Sequence, residues 1–329
     1  MAGKSENPII QKVTTAQGED LDLSFLRVSN YVETLDLSGP RLMLEFSDPE
    51  GILRMDYSLK ENDDLTVAIA DPYHRDGMDL EMKFVIKKAP LVGSTLKVLC
   101  VQRDIESLKT PSAGPVFFTR KPAGQLLSRF LPGVAQEVGS FPVVEDYHLL
   151  PGERPSRLLR QAALEQGAVA FFQRGKMCFQ KLSELYAKES QLTYHYNDAR
   201  KENQVGTYQK PNVDAIIKDK ISRKYSGWSP TKGFVGSATA TAGTPVEWRP
   251  HANVATLNNL GTIGMPAIDF VCHGNGYLMP GVSLSFVWNM ERSDAPIDET
   301  LPEKVVVSAV AHYYSRQKYF CRVKGVIPA

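Results

Sequence analysis

One stretch constrains the fold of this chain more than any other: residues 143–182, which read VVEDYHLLPGERPSRLLRQAALEQGAVAFFQRGKMCFQKL. Residues 143–150 are rich in β-branched and apolar side chains and stop at the turn pair Pro151-Gly152, so they predict a short strand. Pro155 stands where the first turn of a helix tolerates proline. Leu158, Leu159, Ala162 and Ala163 then share one face of a helix over 156–166. Gly167 ends that helix, because glycine readily adopts the left-handed conformation that closes one. Residues 168–172 and 176–180 predict two strands joined by a tight turn through Arg174 and Gly175. The result is a compact β–α–β–β unit in a chain that otherwise reads almost entirely as strands.

Upstream, LDLSF (21–25) alternates apolar and polar residues, and strands are expected over 31–37, 41–46, 53–59, 65–69, 78–88 and 94–103. Ser38-Gly39-Pro40 and the charged run 60–64 break them. That spacing suits a sandwich or barrel and defines a first antiparallel β module over 20–108, preceded by a polar arm, 1–19, whose Pro8-Ile9-Ile10 has the means to dock on a neighbour. A Pro/Ser/Gly-rich link (109–114) opens a small α/β piece, 109–189, with a further helix over 122–130. Residues 192–206 read as a long strand or a connecting loop. Val213, Ile216, Ile217 and Ile221 share a helical face, yet 215–221 also suits a strand, so periodicity leaves both open. Residues 227–244 (GWSPTKGFVGSATATAGT) read as an exposed loop or extended arm, and 253–260 as a short helix. Strands return at 267–272, 282–288, 304–314 and 318–326, giving a second β module over 190–329. At 329 residues the chain is too long for one ordinary core, and two or three domains are expected. The expected class is mainly β (α+β).

Composition excludes more than it selects. No apolar run approaches the ~20 residues needed to cross a bilayer, and residues 1–15 lack the apolar core and cleavage site of a secretory signal. Cys100, Cys178, Cys272 and Cys321 lie far apart among apolar neighbours, as buried thiols of a reducing compartment do. The net charge of +1 hides an asymmetry, because residues 1–100 carry 17 acidic and 11 basic side chains. A globally basic nucleic-acid binder is not indicated.

Candidate chemistry is sparse. Cys272, His273, His312 and Cys321 fall on neighbouring C-terminal strands, but their spacing matches no zinc pattern and alternation separates Cys272 from His273. His148, His195 and His251 have no nucleophile motif beside them, and neither G-x-S-x-G nor a phosphate-cradling loop occurs. Glu45 with Asp48, and Glu145 with Asp146, are the nearest carboxylate pairs and read as strand-edge or turn charges. Lys210, Lys218, Lys220, Arg223 and Lys224 are interrupted by Asp214 and Asp219, which breaks up a phosphate-binding stripe. The expectation is no catalytic residue, no cofactor and no metal. Trp228, Trp248 and Tyr225 supply the one rival signal, since sugar-binding aromatics line exposed grooves.

Two motif sets carry a family resemblance. The first is P-S-x-L-L-x-x-A-A-x-x-x-G followed by F-F-x-x-G-K-M-x-F within 155–179. The second is the series GNGYLMPGVSLSF (274–286), VVVSAVAH (305–312) and KYFCRVKGV (318–326). Together they resemble the central baseplate hub proteins of bacteriophage contractile tails, relatives of the spike proteins of type VI secretion. The stretch 227–244 departs from that pattern by its length and its Ala/Thr/Gly content.

The resemblance implies two tube-like antiparallel β-barrel modules with a small α/β insert between them, in a homotrimer whose six modules form a pseudo-six-fold ring. The implied partners are a tail-tube or tube-initiator protein, the central spike protein and baseplate wedge proteins, with DNA passing the channel unbound. There would be no membrane anchor, and the place would be the virion tail baseplate, assembled in the host cytoplasm. The alternatives are a β-rich peptidoglycan or glycan hydrolase and a carbohydrate-binding tail protein. A hub further requires like strand orders in the two modules. It also requires strand edges or faces that a neighbouring copy covers, with 80–88, 96–103, 267–272 and 282–288 as candidates. From the acidic excess, the first module is expected to give the channel a negative wall.

Overall fold

A computed structural model describes residues 9–57, 59–71, 78–141, 146–213, 215–237, 245–249, 253–289, 300–315 and 318–329. The first module contributes β1 (Ile10–Thr15), β2 (Leu26–Thr34), β3 (Arg41–Ser47), β4 (Asp64–Ala70), β5 (Asp79–Lys88) and β6 (Thr95–Gln102). The second contributes β7 (Leu192–Tyr196), β8 (Val205–Gln209), β9 (Gly264–His273), β10 (Ser283–Trp288), β11 (Lys304–Ser315) and β12 (Lys318–Pro328). With the two-residue strand Leu91–Val92 they form one sheet of 13 strands. The molecule is mainly β, with 48% of residues in strands and 17% in helices.

The order in the first half is β1-β4-β5-β6-β3-β2, and in the second β7-β10-β11-β12-β9-β8. Each strand has a counterpart six numbers later. The irregularities repeat as well. A bulge between Leu26 and Val28 in β2 matches one between Val205 and Thr207 in β8. A bulge between Ile86 and Lys88 in β5 matches one between Val307 and Ala309 in β11. Ahead of β4, Asn62 (φ 73°) donates its N–H to the Ile86 carbonyl at 2.7 Å; ahead of β10, Gly281 (φ 84°) donates to Val307 at 2.9 Å. Bulges fix register and bend a strand in one direction, so these matches mark one backbone plan used twice. The first strands break the rule: β1 runs antiparallel to β4, whereas β7 runs parallel to β10.

Of the two tube-like β-barrel modules expected, no closed barrel is seen among the described strands, and a single sheet runs through both halves. Residues 309–315 of β11 project beyond the end of β10, and residues 28–34 of β2 pair with them antiparallel. One apolar core follows the sheet through both modules, from Ile10 and Phe84 to Phe270, Trp288 and Val323. Of the expected edges or faces, 96–103 and 267–272 lie in the interior of the sheet, whereas 80–88 pairs with β4 up to Val85 and with β6 from Phe84 onward.

Other expectations are corrected locally. The arm is shorter than 1–19, because Ile10–Thr15 pairs with β4 and buries Ile9, Ile10 and Val13. LDLSF ends in a 3-10 turn, Leu23–Phe25, where the Asp22 carboxylate accepts the Ser24 N–H at 2.9 Å. Among the described residues of 53–59 no strand forms: Ile52–Met55 is one helical turn after Gly51 (φ 72°), with only Leu53 of that turn buried. Ala215–Ser222 is a helix. Within 227–244, Lys224–Ser229 pairs with Gly233–Gly236 and with Val246–Arg249, so much of the supposed arm is a small sheet; 238–244 lie outside the described residues.

The insert folds as its pattern predicts around the helix Pro155–Glu165, with Gly167 at φ 63° and the hairpin Ala168–Gln173/Lys176–Lys181 turning at Arg174-Gly175. The strand before the helix, Tyr147–Leu149, pairs with Val116–Phe118 rather than with the hairpin. Leu126, Leu127, Leu158, Leu159, Phe172 and Phe179 form its separate core.

Candidate functional site

Where the modules meet, the chain concentrates its buried polar chemistry. Alternation along β2 and β11 points Ser29, Tyr31 and Glu33, with Val310, His312 and Tyr314, into the core on one face of the joint. Tyr31 and His312 are paired across the strands, rings stacked at 6.1 Å. The hairpin tip of the insert enters here. Its two positive-φ residues, Arg174 and Gly175, form the kind of tight turn that suits twisted strands, and they aim Arg174 at the joint.

Arg174 ties three parts of the chain together. Its backbone N–H donates to Glu33 Oε1 at 3.0 Å, and its Nη1 lies 3.1 Å from Glu33 Oε2. Nη2 donates to the Gly276 and Leu278 carbonyls at 2.8 and 2.9 Å. The two side chains are 8% and 0% exposed, so this is an ion pair removed from water. Burial first, and then the Glu33 carboxylate, push the Tyr31 phenol well above its ordinary range.

His312 continues the network. Its Nε2 lies 3.0 Å from the Leu278 carbonyl, which only accepts, so Nε2 carries the proton. Nδ1 then accepts the Tyr319 hydroxyl at 2.8 Å, with Cys321 Sγ 3.3 Å away. Cys272 sits opposite Cys321 in register, and contact with that sulfur together with burial pushes its thiol well up. His273 points to the other face and is exposed. The structure thus brings Cys272, His312 and Cys321 together and leaves His273 out. Each is buried in the core, where its contacts join neighbouring strands.

The remaining sequence candidates do not converge. Glu45 pairs with Lys97 at 3.0 Å, whereas Asp48 is buried and accepts the Leu53 N–H at 3.2 Å. Asp146 accepts the Arg120 N–H at 2.9 Å; Glu145 and His251 lie outside the described residues. His148 is exposed on a short strand and His195 is half-buried on β7. In the basic run, Lys210 donates to the Thr300 carbonyl at 3.0 Å, and Arg223 pairs with Glu247 at 2.8 Å and with Asp219.

Two surfaces were not fully legible in the sequence. The first is the solvent-facing side of the six central strands, β6-β3-β2-β11-β12-β9. It carries Arg41, Lys97, Arg322 and Lys324 against Glu45 and Asp269, a basic balance. The expected acidic wall is absent from this face. Five of the 17 acidic residues of 1–100 lie instead in the connection 48–63. The second surface is aromatic. Trp228 is 45% exposed, Phe234 77% and Trp248 51%, with ring centroids 5.0 and 5.7 Å apart, while Tyr225 is buried. Strand pairing of 224–229 with 233–236 and 246–249 assembles this patch.

No family model matches the sequence, and no curated protein matches it either. Solved structures do. The chain is similar to a tail protein from Neisseria meningitidis at TM-score 0.66 and 13% identity, over 97% of this chain and 96% of that one. It is similar to the 43 kDa tail protein of prophage MuSo2 from Shewanella oneidensis at TM-score 0.60 and 12% identity, over 97% and 96%. It also resembles an E. coli component of the type VI secretion system, itself described as similar to the bacteriophage T4 tail proteins gp27 and gp5. There the TM-score is 0.52 and the identity 12%, over 92% of this chain and 73% of that one. The fold is that of these phage tail proteins, with the same architecture in a type VI secretion component.

Proposed function

We propose that this chain is a structural baseplate hub of a phage contractile tail. Three copies, each with two like modules, form a pseudo-six-fold ring that adapts a six-fold tail tube to a three-fold central spike. One observation carries the proposal: the same strand order, with the same two bulges, occurs twice in one chain. A ring of six near-equivalent units from three chains needs that duplication. The likeness to phage tail proteins supports the tail location, and the E. coli likeness supports a spike as partner.

In this reading the open face of the central strands lines the channel, and tube, spike and wedge proteins contact the ring around it. DNA passes without a specific site. The basic balance of the open face gives that wall weak attraction for phosphate, damped by the Glu45–Lys97 and Asp269–Lys324 pairings. The role is architectural, and the buried joint chemistry holds modules rather than turning over a substrate. Light scattering should return three times the 36.5 kDa of one chain, and a monomer at high concentration would remove the reading.

The exposed Trp228–Phe234–Trp248 cluster favours a second, carbohydrate-binding role for the small sheet. The rings pack edge-on to one another, at 88° and 61°, rather than forming a flat platform for a sugar face. Titration with host-surface glycans, read by tryptophan fluorescence, separates the two roles.

A further inference from the structure

The joint inside the chain is a template for one between chains. Within the molecule, 28–34 of β2 cover the part of β11 that projects past β10. The repeat assigns both partners a counterpart. The bulges equate Val28 with Thr207 and Ala309 with Lys88. Counting onward, 28–34 correspond to 207–213, at and beyond the end of β8. Residues 309–313 of the projecting part of β11 correspond to 88–92, where Leu91–Val92 continues β5 along β6. Among the described strands nothing pairs with the outer side of 209–213 or of 88–92, and the one contact there is of the Lys210 side chain with the Thr300 carbonyl. Leu91 is 37% exposed and Val92 61%.

Resting on the ring reading, we propose that 209–213 of one copy pairs antiparallel with 88–92 of the next, in the register of the internal joint. Tyr31↔His312 and Val32↔Ala311 then become Lys210↔Leu91 and Pro211↔Pro90, with Gln209 opposite Val92 and Asn212 opposite Ala89. The occupant of each edge is a second copy of this chain, because the same two backbone plans already mate once within it. Such a contact is head-to-tail, and it leaves no edge free only when the ring closes.

The prolines support this register. The Pro90 carbonyl accepts the Lys97 N–H at 3.0 Å, so the main-chain groups of Pro90 face β6. Antiparallel alternation turns those of Ala89 and Leu91 outward. In the proposed register Pro211 meets Pro90 at a pair that exchanges no hydrogen bonds, so neither missing N–H is felt. A slip of one residue sets a proline against a carbonyl that needs a donor. Proline on an edge strand therefore blocks wrong partners while admitting this one.

Gln209 and Val92 form a non-hydrogen-bonded pair in this register, where Cα atoms lie ~4.5 Å apart and a disulfide fits. Both are exposed, and the four native cysteines are buried, which keeps background low. The double variant Q209C/V92C, treated with a mild oxidant, should run as a covalent trimer on a non-reducing gel. Either single variant, and the off-register pair T207C/V92C, should stay at the mass of one chain. A protein that scatters light as a trimer while Q209C/V92C stays unlinked overturns the joint and leaves the ring standing. A monomer that never links, at any concentration, overturns both.

Discussion

The two modules share a backbone plan and almost nothing at their joining edges. In the first, β2 is covered along 28–34 by β11 of the second, and Glu33 on it meets Arg174. In the second, the counterpart β8 is followed by Lys210-Pro211-Asn212-Val213, and nothing among the described strands pairs with that run. The mating edges differ in the same way. β11 is continuous from Lys304 to Ser315, whereas Ala89-Pro90 interrupts the corresponding run after β5. Duplicated modules keep what sets register and bend, the bulges and the positive-φ turn, while the edges diverge to the demands of their neighbours. A joint that folds with the chain tolerates a buried ion pair supplied by a third element. A joint made between finished subunits has to remain soluble beforehand, which favours short, proline-guarded edges.

The largest expected effect separates the joints by that ion pair. Arg174→Ala leaves the Glu33 carboxylate buried without its cation, takes the Arg174 donor from the Gly276 carbonyl and leaves the Leu278 carbonyl to His312 alone, a loss of about 3–5 kcal/mol in urea unfolding. Glu33→Gln with Arg174→Met removes both charges and should recover a good part of it. A loss for Arg174→Ala no larger than for a surface arginine would mean that water reaches the joint.

A smaller effect tests the repeat itself. Asn62 and Gly281 hold the same left-handed turn ahead of β4 and β10, at φ 73° and 84°. Only at Gly281 is the space closed, since an added Cβ would lie 2.9 Å from Phe171 Cζ. Asn62→Gly should be close to neutral and Asn62→Ala should cost about 1 kcal/mol, while Gly281→Ala should cost about 2–3 kcal/mol. Equal costs for the two alanines would show that the turns differ in more than their surroundings.

The sequence disclosed the insert most fully, because its helix and hairpin depend on contacts near in sequence: the Leu158/Leu159/Ala162/Ala163 face, Gly167 and Arg174-Gly175. It disclosed most strands as strands, since alternation is local. It did not disclose that β2 crosses into the second module, because pairing of 28–34 with 309–315 leaves no trace in either segment's own pattern. For the same reason β1 reads as an arm in the sequence, although Ile9, Ile10 and Val13 carry the inward face of an edge strand. The buried Glu33–Arg174 pair was hidden too, for a lone Glu in a strand looks like a solvated one until its partner arrives from 141 residues away. The Cys272–His312–Cys321 convergence was within reach in part, because His312 and Cys321 lie on strands consecutive in sequence, whereas Cys272 joins them only through the pairing of β9 with β12.

The smallest effect compares one equivalent position through pH. Cys100 in β6 corresponds to Gly325 in β12, since each lies opposite the equivalent residues Ile86 and Val307. Only the first module therefore carries a titratable group there. Burial pushes the Cys100 thiol up to about 12, and the Cys178 thiol of the insert likewise. An acid whose folded pKa is raised stabilises the fold fully while both states stay protonated, so nothing changes below pH 9, the ordinary thiol value. Above it the unfolded chain releases a proton that the folded chain keeps, and stability falls toward pH 12 by up to ~1.4 kcal/mol per pH unit for each thiol. Buried tyrosines of both modules add to the same fall, because the Tyr31 and Tyr319 phenols are also raised by burial, so the total slope assigns nothing. Cys100→Ala isolates the thiol. The wild type should exceed the variant by a constant margin from pH 7 to 8.5, and that margin should shrink by about 1–2 kcal/mol between pH 9 and 10.5. Parallel curves would mean that Cys100 ionises as in water, and hence that the core of the first module is open at the position its twin fills with Val305 against Gly325.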